Sequence, residues 1–164
     1  MAFCERIKNF LISVLFFQYL CYNDTSRKGD QRILNIGLIA HDSKKELMQN
    51  FCIAYKRILS KHELFATGTT GGLIEDATGL EIHKFLAGQL GGGRQMSAQI
   101  ECNEIDAVIF LRDPFKEKKN ELDYTRVYDL CDLHNIPLAT NVASAEILIM
   151  AIDRGDLDWR NAYK

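Results

Sequence analysis

The 164-residue chain lacks an excess of either charge: 20 Lys and Arg stand against 22 Asp and Glu, a formal net charge of -2. That balance leaves no electrostatic footprint for a nucleic-acid backbone. The one basic cluster, Lys116, Lys118 and Lys119, is interrupted by Glu117 and reads as a solvated loop. The cysteines (Cys4, Cys21, Cys52, Cys102 and Cys131) are odd in number and form no C-x-x-C pair, so neither a zinc site nor a disulfide framework is suggested. Cys52 and Cys131 fall in apolar helical patterns and are expected to be buried as small hydrophobes in a reducing, cytoplasmic setting. There is no internal repeat or low-complexity tract, and no apolar run reaches the ~20 residues that span a bilayer. The longest, residues 10–22, is broken by Ser13 and Gln18 and preceded by Arg6 and Lys8. It resembles a signal-peptide core, yet no small-residue cleavage site follows. An appended helix or leader is the first reading, with membrane association and secretion as alternatives. Residues 23–32 are polar and read as a linker, which makes 1–32 an extension and 33–164 the domain.

What the chain does contain is an ordinary globular balance, 47% hydrophobic and 26% charged, enough at this length for one buried core. Apolar runs alternate with helical patterns, the signature of parallel strands joined by crossover helices. Strands are expected at 33–40, 64–67, 80–86, 105–111 and 136–141. Helices are expected at 44–59, from near 70 to 78, at 94–103 and at 121–134, with a last one that Ser144 would N-cap. The fold class is therefore α/β: a single doubly wound domain with a five-stranded, mainly parallel sheet. Such sheets bind ligands beyond the carboxyl ends of their strands. Those ends carry His41-Asp42, Thr67-Gly68-Thr69-Thr70, Ala87-Gly88, Asp113 and Thr140-Asn141.

Thr67-Gly68-Thr69-Thr70-Gly71-Gly72 joins a strand to a helix. Glycines there let the backbone approach an anion, while hydroxyls and helix N-terminal N–H groups donate to phosphate oxygens. An ordinary N-cap and turn would account for one of the threonines but not three. No Gly-Lys-Ser/Thr follows, so this is not a Walker loop. Ala87-Gly88-Gln89-Leu90-Gly91-Gly92-Gly93 is a second loop after a strand; it either wraps the other side of the anion or simply turns the chain. Lys45 sits in a first helical turn, where a cation gains nothing from the helix dipole. It is aimed at a ligand charge or is a solvated lysine. His41 either donates to a carbonyl oxygen or caps its turn. Asp113, before Pro114, either bonds the turn backbone or serves the site. Asp123 is favoured near a helix start whether or not it is catalytic. His62, His83 and His134 lack ligand-like spacing and read as surface or packing residues.

Several of these segments, in this order, resemble the methylglyoxal synthase family: Ile39-Ala40-His41-Asp42 with Lys45, Phe65-Ala66-Thr67-Gly68-Thr69-Thr70-Gly71, and the segment 80–92. Val108-Ile109-Phe110 with Asp113-Pro114, Ile136-Pro137-Leu138-Ala139-Thr140-Asn141-Val142-Ala143 and Gly155-Asp156-Leu157-Asp158-Trp159-Arg160 continue the likeness. The resemblance implies conversion of dihydroxyacetone phosphate to methylglyoxal and inorganic phosphate, with no metal or organic cofactor. It implies a cytoplasmic homo-oligomer, hexamer or tetramer, inhibited by phosphate. By the same resemblance Lys45, Thr67, Gly68, Thr69, Thr70, Ala87 and Gly88 hold the phosphate. His41 and Asp42 sit beside the substrate, and Asp123 matches an active-site carboxylate. Arg160 loosely matches an arginine that reaches a neighbouring subunit's site.

Two positions depart from the family pattern. The second glycine loop of the family ends Gly-Gly-Asp, and that aspartate is the proton-abstracting base; here the loop ends Gly91-Gly92-Gly93. A substrate-polarising histidine of the family is matched by Asn120. A general base contributes ~10²–10⁴ in rate, so binding survives these changes better than turnover does. Two readings follow: a lyase of the family's type, which is preferred, and a non-catalytic phosphate or phospho-metabolite binding or regulatory module of the same fold.

Overall fold

The structure is a computed structural model that describes residues 32–115 and 121–163, apart from the side chains of residues 89, 121–124 and 161–163. Its strands are β1 (Asn35–Ala40), β2 (Glu63–Ala66), β3 (His83–Lys84), β4 (Ala107–Leu111) and β5 (Leu138–Ala139). Its α-helices are α1 (Lys45–Ala54), α2 (Lys56–Leu59), α3 (Gly68–Thr78), α4 (Gly92–Glu101), α5 (Glu121–Leu133) and α6 (Val142–Arg154). Every strand pairing is parallel, in the order β3-β2-β1-β4-β5.

The two central strands are apolar almost throughout because a parallel sheet covered on both faces buries both sets of side chains. Ile36, Leu38 and Ala40 of β1, with Ala107, Ile109 and Leu111 of β4, face one core with Met48, Phe51 and Cys52 of α1, Ile74 of α3 and Ile149 of α6. The alternate residues Ile39, Val108 and Phe110 face the other, with Met96 and Ile100 of α4 and Val127 and Cys131 of α5. This period of two is what strand geometry requires. Gly37 falls on the second face, where an added Cβ would meet the Met96 sulfur at 3.1 Å. A bare backbone there lets α4 lie close to the sheet. As expected, Cys52 and Cys131 are buried, and burial pushes each thiol up to about 12.

The doubly wound five-stranded sheet matches the sequence reading, while several element boundaries do not. Strand 80–86 shrinks to two residues because α3 captures its early donors: Leu80 N–H goes to Thr78 Oγ1 and Ile82 N–H to Glu75 Oε1. Strand 136–141 shrinks likewise. Pro137 has no N–H, Ile136 N–H bonds the Cys131 carbonyl, and Asn141 is used as a cap. The last helix starts at Val142 rather than after Ser144: Asn141 Oδ1 accepts from Ser144 N–H at 3.0 Å, and Ser144 Oγ accepts in return from Asn141 N–H. Ser144 is thus the inner half of a capping box. The single helix expected over 44–59 is split at Tyr55, which leaves helical geometry at φ -105°, ψ 18°.

A further correction concerns Arg160. Its side chain is fully buried inside its own subunit, not extended toward a neighbour's site. Nη1 donates to the carbonyls of His134 and Asn135, and Nη2 to Asn103 Oδ1 and the Ile105 carbonyl. Nε lies 3.6 Å from Asp106 Oδ1. Asn103 and Asn135 both have positive φ where α4 and α5 end, so one guanidinium closes two helix exits at the amino-terminal edge of the sheet.

Candidate active site

The strand order runs outward from β1 to β3, then returns to β4 on β1's other side, so the reversal falls between β1 and β4. In open α/β sheets the ligand crevice lies beyond the carboxyl ends at such a reversal. Here those ends deliver His41 and Asp113. The β1–β4 ladder continues past β1 through His41 N–H to the Leu111 carbonyl, 3.1 Å. The His41 ring is buried edge-on against Phe110 (centroids 5.2 Å apart), and its Nδ1 accepts from the Asp113 N–H at 2.9 Å. Asp113 bonds its own turn, as the sequence suggested: its Oδ1 accepts from Phe115 N–H, 3.1 Å. Its Oδ2 accepts from Ser43 Oγ at 2.6 Å, a partner the sequence did not disclose.

On the β2 side, Thr67 stands at the N-cap position of α3, but its side chain makes no cap hydrogen bond. Its hydroxyl pairs instead with that of Thr70 at 3.4 Å, and both residues are buried while Thr69 is exposed. No threonine hydroxyl therefore caps the first turn of α3. The simple capping account of these threonines fails, and a pair of hydroxyls beside helix N–H groups is left at the strand end.

The glycine loop after β3 is stitched to this turn. Gly68 N–H donates to the Leu86 carbonyl at 3.1 Å, and a Cβ on Gly68 would sit 2.8 Å from the Phe85 oxygen. Leu86 N–H reaches Gln95 Oε1 of α4 at 2.7 Å, and Gly92 N–H returns to the Ala87 carbonyl at 3.2 Å. The Thr67–Thr70 turn, Ala87-Gly88 and the start of α4 are thus one assembly. Gly93 lies buried in the first turn of α4.

Lys45 opens α1 and pairs with Asp42 at 2.7 Å, the lysine side chain 20% and the aspartate 56% exposed. An exposed pair of this kind contributes about 0–1 kcal/mol, and two of the three ammonium donors are left for other acceptors. Asp123 lies in α5 without a described side chain, and Asn120 lies outside the described residues. His62, His83 and His134 are packing and surface residues: His62 Nδ1 accepts from Leu34 N–H, and His83 pairs with Glu63 while stacked on Phe65. Among the described residues no group of three or more His, Cys, Asp or Glu side chains is arranged to hold a metal, and no helix is long and apolar enough to cross a membrane.

A parallel sheet of this order, with threonine and glycine loops at one edge, defines a doubly wound α/β class, and residues 48–140 match the family model of the MGS-like domain. A methylglyoxal synthase from Caldicellulosiruptor saccharolyticus is 64% identical over 127 residues, 77% of this chain and 90% of that protein. One from Thermoanaerobacterium thermosaccharolyticum is 54% identical over 131 residues, 80% of this chain and 98% of that protein. The crystal structure of methylglyoxal synthase from Elizabethkingia anophelis NUHP1 superposes with a TM-score of 0.65 at 35% identity, covering 71% of this chain and 77% of that one. The chain belongs to the methylglyoxal synthase family.

Proposed function

We propose that the chain is a cofactor-independent lyase that converts dihydroxyacetone phosphate to methylglyoxal and inorganic phosphate. The observation that carries this reading is the buried Thr67–Thr70 hydroxyl pair, left uncommitted to helix capping and stitched to the Ala87-Gly88 loop. Identity of 64% to a protein named methylglyoxal synthase supports it and does not favour a purely binding module.

In the reaction a base takes a proton from the hydroxymethyl carbon, and the electron pair moves onto the carbonyl oxygen as an enediolate. The hydroxyl on the deprotonated carbon then passes its proton to the enediolate oxygen, its oxygen pair forms the aldehyde, and the carbon–carbon double bond shifts toward the phosphate-bearing carbon as that carbon's bond to the phosphate oxygen breaks and phosphate departs. The residual enol gains a proton on its terminal carbon, which becomes the methyl group. Lys45, Thr67, Gly68, Thr69, Thr70, Ala87 and Gly88 hold the phosphate, and His41 donates to the oxygen on which negative charge develops, the kind of contact that lowers such barriers most. Asn120 adds an amide donor but cannot supply a proton as an imidazolium would.

Gly93 offers no carboxylate where the family resemblance places the base. Asp113 is held by Ser43 and Phe115, so proton transfer falls to Asp42 or Asp123, at reduced rate. The domain at work is 33–164, with 1–32 as an extension; 131 residues of this chain cover 98% of one relative. It acts in the cytoplasm as a homo-oligomer, and inorganic phosphate competes for the same cradle.

Phosphate release from dihydroxyacetone phosphate tests the reading, with methylglyoxal trapped and quantified. The unmodified chain should exceed the uncatalysed rate, and Gly93→Asp should raise kcat by about tenfold or more with little change in KM. Folded protein of both sequences that makes no methylglyoxal above background would rule the lyase out.

A further inference from the structure

We propose that Ser43 and Asp113 are positioning residues that lock His41 in its Nε2–H tautomer, so that a neutral N–H donor is presented at the β1–β4 reversal. The inference rests on the lyase reading only for the purpose of that donor; the tautomer itself follows from geometry.

An imidazole nitrogen that receives an N–H hydrogen bond must offer its lone pair. His41 Nδ1 receives the Asp113 N–H at 2.9 Å, so the single proton of the neutral ring resides on Nε2. Protonating Nδ1 would set two donors against each other at a buried site. The ring has little room to evade this, being 5% exposed and edge-on to Phe110.

The Asp113 side chain is itself held from two sides, which fixes the residue whose amide meets His41. Ser43 Oγ donates to one carboxylate oxygen at 2.6 Å and Phe115 N–H to the other at 3.1 Å. Pro114 between them has no N–H and biases Asp113 toward extended backbone, so the next available donor is that of Phe115. Ser43 belongs to the 3-10 turn Asp42–Lys44 that directly follows His41. Segments 41–43 and 113–115 are therefore clasped by two hydrogen bonds of opposite sense, one from the Asp113 amide to the His41 ring and one from the Ser43 hydroxyl to the Asp113 carboxylate. The clasp fixes the ring's rotation as well as its proton. A neutral imidazole so fixed polarises a carbonyl oxygen without giving its proton away, the behaviour an enediolate-forming site needs.

The test uses the full chain labelled with 15N-histidine, the His41 signals being assigned by their loss in His41→Gln. The unmodified protein should show a lone-pair-type Nδ1 and a protonated Nε2 for His41. Ser43→Ala, at an exposed position away from both cores, should fold normally and give a mixed tautomer population, and Ser43→Thr should restore the single form. With dihydroxyacetone phosphate, Ser43→Ala should lower kcat by about tenfold with KM changed less than about twofold. A protonated Nδ1 in the unmodified protein, or a single unchanged tautomer in Ser43→Ala, overturns the proposal. So does tautomer mixing with full kcat, which would leave Ser43 with no role in positioning. If the chain makes no methylglyoxal yet the tautomer responds as expected, the lyase reading fails and the clasp stands.

Discussion

His62 is buried at the amino-terminal edge of the sheet, and its Nδ1 is committed to the Leu34 N–H at 3.3 Å. Burial, aided by Lys61, holds the imidazole below its ordinary range, against the pull of Asp153 and Asp106. The unfolded chain takes up this proton near pH 6.5, the folded one only at lower pH. Between those values the unfolded state binds more protons, so stability declines as pH falls below about 6.5. Urea unfolding between pH 8 and 5.5 should show this slope, and His62→Gln should flatten it; an unaltered slope would mean that other groups set it. Asp153 behaves in the opposite range. Hydrogen bonds from Lys61 and Arg57 hold its carboxyl low, so its contribution persists until pH falls below about 4. The sequence marked His62 only as surface or packing, because nothing near it in the chain reveals Leu34 as its partner.

At the scale of elements, the site depends on where backbone can approach backbone. A Cβ on Gly92 would lie 1.9 Å from the Leu86 carbonyl oxygen, an atom fixed by its bond to the Gly68 N–H. Gly92→Ala should therefore exceed the usual overpacking cost of about 1–3 kcal/mol and abolish phosphate binding, readable by thermal unfolding and calorimetry. Gly72 in α3 has nothing within 4 Å of an added Cβ, so Gly72→Ala should stabilise by about 0.5–1 kcal/mol through lower unfolded-state entropy. Equal effects of the two substitutions would refute the stitched-loop account. These elements also show what sequence can reveal. β1 and β4 were readable as unbroken apolar runs, and the glycine and threonine loops as breaks after strands. β3 and β5 were read too long, because pattern cannot register that Thr78 and Glu75 side chains intercept the backbone donors of residues 80 and 82. The Ser43–Asp113 bond was invisible for a related reason: 70 residues separate its partners.

At the scale of the whole molecule, the two cores are joined at the sheet's amino-terminal edge by Arg160, Asp106 and Arg32. Asp106 accepts from Asn35 N–H at 2.9 Å and lies 3.4 Å from Arg32, while Arg160 spans the ends of α4 and α5. Arg160→Met would take one of two guanidinium neighbours from the buried Asp106 carboxylate and the shared donor from the His134, Asn135 and Ile105 carbonyls, at a cost of about 3–5 kcal/mol. Breaking the exposed Arg154–Asp156 pair should cost no more than about 1 kcal/mol. Denaturant titrations of the two variants make the comparison, and similar losses would deny Arg160 its bracing role. Because the brace lies opposite the Thr67–Thr70 edge, moderate loss of stability should leave ligand affinity in the remaining folded molecules unchanged.

Among the described residues the sheet is bounded on both sides by strands of only two residues, β3 and β5. So short a margin offers an incoming chain almost no row of free amides to zip onto, which guards against runaway strand-to-strand growth. At these margins an approaching chain would be met by side chains rather than by a peptide ladder.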